Sequence, residues 1–224
     1  RELVDWALPP NYSTFGVQID QLFWIIFVIT GIAFVLVEAG LIVFIFKYRS
    51  RTGHKAYYTH GSNKLEVIWT VVPALVFVVL GVYSAGLWAD IKNPSNMPEG
   101  AIEFGVRAKQ FEWNITYPGA DGILGTEDDF EVLNQFHFPS GEPVIVYLEA
   151  EDVIHSFFIP ELRVKQDAVP GMRIPVWFDA TQTGEFEIAC AELCGLGHYR
   201  MEAAVTVHER ADFDAWQASR ALAQ

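Results

Sequence analysis

The chain has 224 residues, of which 51% are hydrophobic, and a formal net charge of −13 at pH 7. This length admits one or two domains. The acidity excludes a nucleic-acid partner, which would call for a basic face, and a mean hydropathy of +0.21 is high for a freely soluble protein. The charge is also uneven: through Pro98 there are seven Lys/Arg and six Asp/Glu, a net of +1, so the remainder carries −14. An acidic part of that size suits a basic protein partner drawn in by long-range electrostatics. The chain begins at Arg1 rather than Met, so removal of a leader is expected.

Residues 22–46 are almost continuously apolar, broken mainly by Thr30 and Glu38, and residues 67–89 form a second such run. Each run exceeds the roughly 20 residues that cross a bilayer core. A buried core helix fits less well, because both runs are long and have basic flanks. Pro73 and Gly81 fall inside the second run, which is tolerated where neighbouring helices help satisfy the backbone. Lys47, Arg49, Arg51, Lys55 and Lys64 lie between the runs, so this loop is expected on the cytoplasmic side and both termini outside. Glu38 sits mid-membrane, where a carboxyl normally faces protein or water. A proton path and a hydrogen bond to a neighbouring subunit both remain open for it. Glu66 opens the second run, where an acid complements the helix dipole.

The Pro- and Asn-rich stretch 93–98 reads as a linker, dividing an N-terminal segment with two spans (1–98) from a second domain (99–224). Beyond it the pattern turns to strand. Ile102, Phe104, Val106 and Ala108 alternate, and Phe111, Trp113 and Ile115 continue on the opposite parity, which predicts a β-bulge near Lys109 and Gln110. Further strands are predicted at 144–150, 174–180, 186–190 and 203–208, giving an antiparallel sandwich or barrel. A helix is predicted over 211–222, packing through Phe213 and Trp216. Asp121 to Asp129 is rich in acids and glycines without matching the EF-hand spacing; a solvated turn is the favoured reading and calcium the other. His137 reads as a structural histidine, and His54, His60 and His208 lie outside any donor cluster.

The sequence's two cysteines lie in Cys190-Ala-Glu-Leu-Cys-Gly-Leu-Gly-His-Tyr-Arg-Met201. Phe186, Ile188 and Cys190 alternate onto one face, so Cys190 leaves the core side of a strand. His198 and Met201 lie in the same loop, and His155 lies upstream. Thiolate, imidazole and thioether together select copper over harder cations. Two thiolates can bridge two copper ions, each then taking one imidazole from His155 or His198. Met201 would sit axially on one ion and the Glu192 carbonyl on the other. A Cys190–Cys194 disulfide, a structural zinc site of two Cys and two His and a pair of inert thiols compete, although Met201 fits neither zinc nor a disulfide.

This loop, the His155 segment and the two spans together resemble subunit II of the haem–copper cytochrome c oxidases, with its binuclear copper (CuA) centre. The resemblance covers nearly the whole chain. It implies a two-helix transmembrane hairpin followed by an all-β cupredoxin domain, a Greek-key sandwich or barrel. It implies electron transfer from cytochrome c, whether soluble, membrane-bound or tethered in a supercomplex, through the copper to haem in subunit I, where oxygen is reduced and protons are translocated. It further implies that Glu66 lies near a proton-channel entrance, that the Glu192 carboxylate reaches a magnesium ion shared with subunit I, and that Lys165 and Asp167 lie near that border. The family's Gln-Trp-x-Trp segment appears here as Gln110-Phe111-Glu112-Trp113, so Phe111 stands where the family's electron-entry tryptophan is expected and Trp113 lies two residues on. Other oxidase subunits and the lipid bilayer are implied partners. A bacterial-type plasma membrane is favoured over the mitochondrial inner membrane, with both termini and the copper domain on the periplasmic side. Nitrous oxide reductase shares a similar ligand loop but lacks such an anchor, and the quinol oxidase relative lacks the copper ligands. A membrane-anchored module stapled by zinc or a disulfide is the reading from another class.

Overall fold

The computed structural model describes residues 8–221. The expectations for Arg1 and the extreme N-terminus, and for Leu222 at the end of the last helix, lie outside the described residues. The chain forms two compact units, residues 18–89 and residues 8–17 together with 90–221.

Helix α1 (Gly16–Lys47) and helix α2 (Asn63–Lys92) are longer than the apolar runs within them. The Ser13 hydroxyl accepts from the Gly16 N–H at 3.2 Å, capping the start of α1. Thr30 returns its hydroxyl to the Ile26 carbonyl at 2.8 Å, so this polar group needs no outside partner in a bilayer. The apolar stretches of both helices are unburied: Phe34, Leu36, Phe46, Phe77 and Val82 are all exposed. A soluble protein would bury such helices in its core. These present hydrocarbon on all sides, which suits lipid and neighbouring membrane helices.

The other unit is a sandwich of two five-stranded sheets. Strands β1 (Ile102–Lys109), β2 (Glu112–Tyr117), β3 (Phe130–Leu133), β5 (Val144–Ala150) and β8 (Ile174–Phe178) form the first sheet, in the order β3-β2-β1-β5-β8. Strands β4 (Gln135–Pro139), β6 (His155–Ile159), β7 (Val164–Ala168), β9 (Gly184–Cys190) and β10 (Glu202–His208) form the second, in the order β4-β10-β9-β6-β7. Phenylalanines from both inner faces meet between the sheets: Phe104 packs edge-on to Phe136 at 5.3 Å and Phe138 to Phe178 at 5.6 Å. Helix α3 (Arg210–Ala221) covers one end, burying Phe213 and setting Trp216 against Tyr117 at 4.9 Å.

Two expectations change. The parity reversal after Ala108 is a tight hairpin, with Lys109 opposite Glu112 and only Gln110 and Phe111 between the strands. A bulge and a hairpin turn both flip the alternation, and the sequence alone does not separate them. The sandwich is also not wholly antiparallel: β1 runs parallel to β5, and β4 parallel to β10. These pairings join strands whose direct connections run elsewhere, so no local hairpin signal marks them.

The segment just before α1 lies along the sandwich. Tyr12 donates to the Glu161 carbonyl at 2.8 Å and accepts from the Thr181 N–H at 2.7 Å. Arg163 donates to the Pro9 carbonyl at 2.6 Å, and the Tyr12 ring meets Phe186 at 5.2 Å. On the far side of the hairpin, Trp177 donates its indole N–H to the Ile91 carbonyl at 2.7 Å. Both chain segments that leave the spans are thus bonded into the β unit.

Candidate metal centre

Cys190 ends β9 and Met201 immediately precedes β10, which pairs with β9. The Cys190 N–H donates to the Met201 carbonyl at 3.1 Å, and the Ala191 N–H to the Ser156 carbonyl at 3.0 Å. These bonds tie both ends of the loop to each other and to the strand that opens with His155. Within the loop, His198 N–H to Gly195 C=O and Met201 N–H to His198 C=O close a tight final turn, at 3.1 and 3.2 Å.

The donors gather as the loop folds. The Cys190 and Cys194 sulfurs stand 3.7 Å apart, and both cysteines are free. His155 brings Nδ1 to 3.9 Å from the Cys190 sulfur, while His198 brings Nδ1 to 3.7 Å from the Cys194 sulfur. The Met201 sulfur lies 3.8 Å from Cys194, and the Glu192 carbonyl 3.3 Å from Cys190. His155, Cys190, Cys194 and Met201 are buried, and His198 is half-buried.

This geometry separates the competing readings. A disulfide requires sulfurs about 2.05 Å apart, and these are not bonded. Donors on one zinc ion lie no farther apart than twice a bond of about 2.3 Å. His155, Cys190 and Cys194 lie within 4.8 Å of one another, but His198 does not join that mutual cluster. The four donors therefore do not converge on one point. His155 faces the Cys190 sulfur and His198 the Cys194 sulfur, so each of the two adjacent sulfurs has its own imidazole. Burial, with a smaller contribution from neighbouring Cys190, pushes the Cys194 thiol up to about 11. Without a cation to neutralise it, the Cys194 sulfur stays a thiol.

The family model for the periplasmic domain of cytochrome C oxidase subunit II matches residues 110–208, and the model for its transmembrane domain matches residues 5–87. The chain belongs to the cytochrome c oxidase subunit II family. It is 33% identical to the alternative cytochrome c oxidase subunit 2 of Bradyrhizobium diazoefficiens, over 94% of this chain and 83% of the relative. Identity to cytochrome c oxidase subunit 2 of Thermostichus vulcanus is 30%, over 94% and 77% of the two chains. The solved periplasmic domain of subunit II of cytochrome oxidase from Bradyrhizobium japonicum is 29% identical, with a TM-score of 0.49, covering 55% of this chain and 95% of that one. The match to the family's periplasmic and transmembrane models makes the sandwich the cupredoxin-like periplasmic domain of a membrane-anchored oxidase subunit, and the family implies binuclear copper at such a donor set.

Other expected subunit II residues fall into place unevenly. Phe111 and Trp113 do not share a strand face, because Phe111 lies in the β1–β2 turn. Its ring rests on the ligand loop. A Cβ added at Gly197 would lie 2.4 Å from Phe111 Cδ2, and one at Gly195 would lie 3.2 Å from Cε1. Gly195 also holds φ at +138°, a conformation other residues rarely adopt. Trp113 is fully buried, its ring 6.3 Å from His155 and 5.9 Å from Phe157, so it packs beneath the site. The Glu192 side chain and Asp167 are exposed, and the Lys165 carbonyl accepts from the Lys92 ammonium at 3.2 Å. Glu66 stands in the first turn of α2, and Glu38 is exposed on α1.

The acids of the Asp121–Asp129 loop are engaged by the loop itself. Asp128 accepts from Thr126 at 2.6 Å and from the Asp121 N–H at 3.2 Å, and Asp129 accepts from the Gly125 N–H at 2.6 Å. His208 has a partner the sequence did not suggest: its Nε2 lies 2.8 Å from His137 Nδ1, and both rings stack with Trp216. Asp152 and Gln110 touch the donor set although neither stands out as a ligand type. A carboxylate three residues ahead of a ligand histidine was the available signal.

Gly197→Ala drives a methyl into the Phe111 ring. We expect it to destabilise the domain by about 1–3 kcal/mol, the usual range for overpacking, read as a lowered denaturation midpoint. Gly197 itself sits at φ −91°, so the substitution adds no backbone strain, and a second variant, Gly197→Ala made in a Phe111→Ala background and measured against that background, removes the ring the methyl would meet. Equal losses in the two backgrounds would show that the Phe111 contact contributes nothing.

Proposed function

We propose that this chain is the electron-entry subunit of a membrane-bound cytochrome c oxidase. The observation that carries the reading is the pair of unbonded thiols with a different imidazole facing each sulfur. His155, Cys190, Cys194, His198, Met201 and the Glu192 carbonyl would hold two coppers. Copper bound there supplies one-electron exchange with cytochrome c on one side and with haem of subunit I on the other, where oxygen is reduced to water and protons are translocated.

The chain's own residues give this centre stiffness. Ligands anchored on strand ends, with both loop ends bonded to neighbouring strands, resist displacement when charge changes. The surroundings favour docking of a redox protein. Leu193, Leu196 and Tyr199 stand exposed on the ligand loop, with Phe111 packed behind it. The −14 carried beyond Pro98 draws a basic cytochrome toward that apolar patch. Phe111 supplies packed contact without an indole N–H. Glu192, whose carbonyl lies 3.3 Å from the Cys190 sulfur and whose carboxylate is exposed, is our candidate to take a hard ion such as magnesium at the subunit I border. Glu66, first-turn acid of α2, is our candidate for a proton-channel entrance. The basic loop between the spans supports a copper domain on the periplasmic side.

Stopped-flow reduction of the oxidase by cytochrome c tests the entry route. Phe111→Ala should slow electron entry while the copper spectrum stays unchanged, and Trp113→Phe should slow it less. Unchanged rates in Phe111→Ala would move the entry point elsewhere.

Copper loading should also depend on pH. With the Cys194 thiol pushed up to about 11 by burial, it is protonated at neutral pH, and forming its thiolate on binding releases a proton. Apparent copper affinity of the metal-free protein should therefore rise about tenfold per pH unit near neutrality. Competition against a chelator of known pH dependence measures it. A flat profile would mean that the thiols are not the ligands.

A further inference from the structure

Asp152 lies in the turn between β5 and β6, and no role above uses it. Its carboxylate is divided between two halves of the site. Oδ1 accepts from His155 Nε2 at 2.8 Å and from the Val153 N–H at 2.7 Å. Oδ2 accepts from the Gln110 N–H at 2.7 Å. Gln110 belongs to the β1–β2 turn, and its side-chain amide donates to the Cys194 carbonyl at 2.5 Å. A single acid thus joins the first histidine to the turn that holds the second cysteine.

An ionised carboxylate only accepts, so the proton on His155 belongs on Nε2. Nδ1, the atom 3.9 Å from the Cys190 sulfur, is then the free lone pair. The His155 side chain is fully buried while Asp152 is partly exposed, so Asp152 is the group that reaches the ring from the surface side. We propose that Asp152 is the positioning residue of the metal centre. It fixes the tautomer and orientation of His155 and, through Gln110, locks that half-site to Cys194. The inference rests on the electron-entry reading.

A carboxylate behind a ligand imidazole makes the imidazole a stronger donor. Stronger donation favours the more oxidised centre, so loss of the carboxylate raises the reduction potential. A role confined to folding would lower thermal stability and leave the potential alone. Asp152→Asn separates the two links: its oxygen can still accept from His155, but its amide turns a donor toward the Gln110 N–H. Gln110→Ala leaves the Asp152–His155 bond in place and removes the bond to Cys194.

The experiment compares the purified wild-type oxidase with Asp152→Ala, Asp152→Asn and Gln110→Ala. Copper partition to a chelator and the potential of the centre are measured on each. Asp152→Ala should lose copper affinity 10–100-fold, as outer-sphere partners of metal ligands typically do, with an upward shift in potential. Asp152→Asn and Gln110→Ala should release copper faster than wild type while keeping a potential closer to it, and they carry the test if Asp152→Ala does not assemble. Wild-type affinity and potential in the variants that assemble would overturn the inference and leave the electron-entry reading standing. A wild-type oxidase with no copper in this subunit would overturn both.

Discussion

The separation of the Cys190 and Cys194 sulfurs, 3.7 Å with no bond between them, is the constraint on which the site depends. Two free thiols this close could collapse into a disulfide in an oxidising compartment. The loop's own bonds resist that: Cys190 is the last ladder residue of β9, bonded to Met201, and the final turn through His198 is closed by its own backbone. The same bonds bring one imidazole to each sulfur. Burial keeps water from the Cys194 thiol and makes its ionisation depend on a bound cation.

A second set of contacts works from above. The β1–β2 turn lays Phe111 on a backbone stripped of side chains at Gly195 and Gly197, and Gln110 reaches the Cys194 carbonyl. Trp113 fills the space below, against His155 and Phe157. The ligand loop is thus gripped between a turn and a core. A grip of this kind matters for electron transfer, because a centre that moves little between oxidation states reorganises little.

The donor cluster was legible in the sequence because soft donors of three kinds fall in one short loop, and His155 is the one that had to be sought elsewhere. The spans were equally plain, since apolar runs this long have few other uses, and the exposed faces of α1 and α2 agree. Strands β5, β8, β9 and β10 were found from their alternation. Strands β3, β4, β6 and β7 were not: β3 spans only four residues, and β7 is polar at Lys165, Gln166 and Asp167. The parallel pairings escaped because register between distant strands leaves no local mark. Phe111 was placed on a strand because alternation does not show where a strand stops and a two-residue turn begins. Asp152 was passed over for a physical reason too: a carboxylate bonded to the far side of a histidine looks, in sequence, like any surface acid.

The central claim is that two metals share two thiolates in this subunit. Electron paramagnetic resonance of the oxidised oxidase, with copper counted on the same sample, tests it most directly. The account predicts two coppers in this subunit and hyperfine splitting from two equivalent nuclei sharing one unpaired electron. Splitting from a single nucleus at one copper per subunit, or zinc in place of copper, would contradict it.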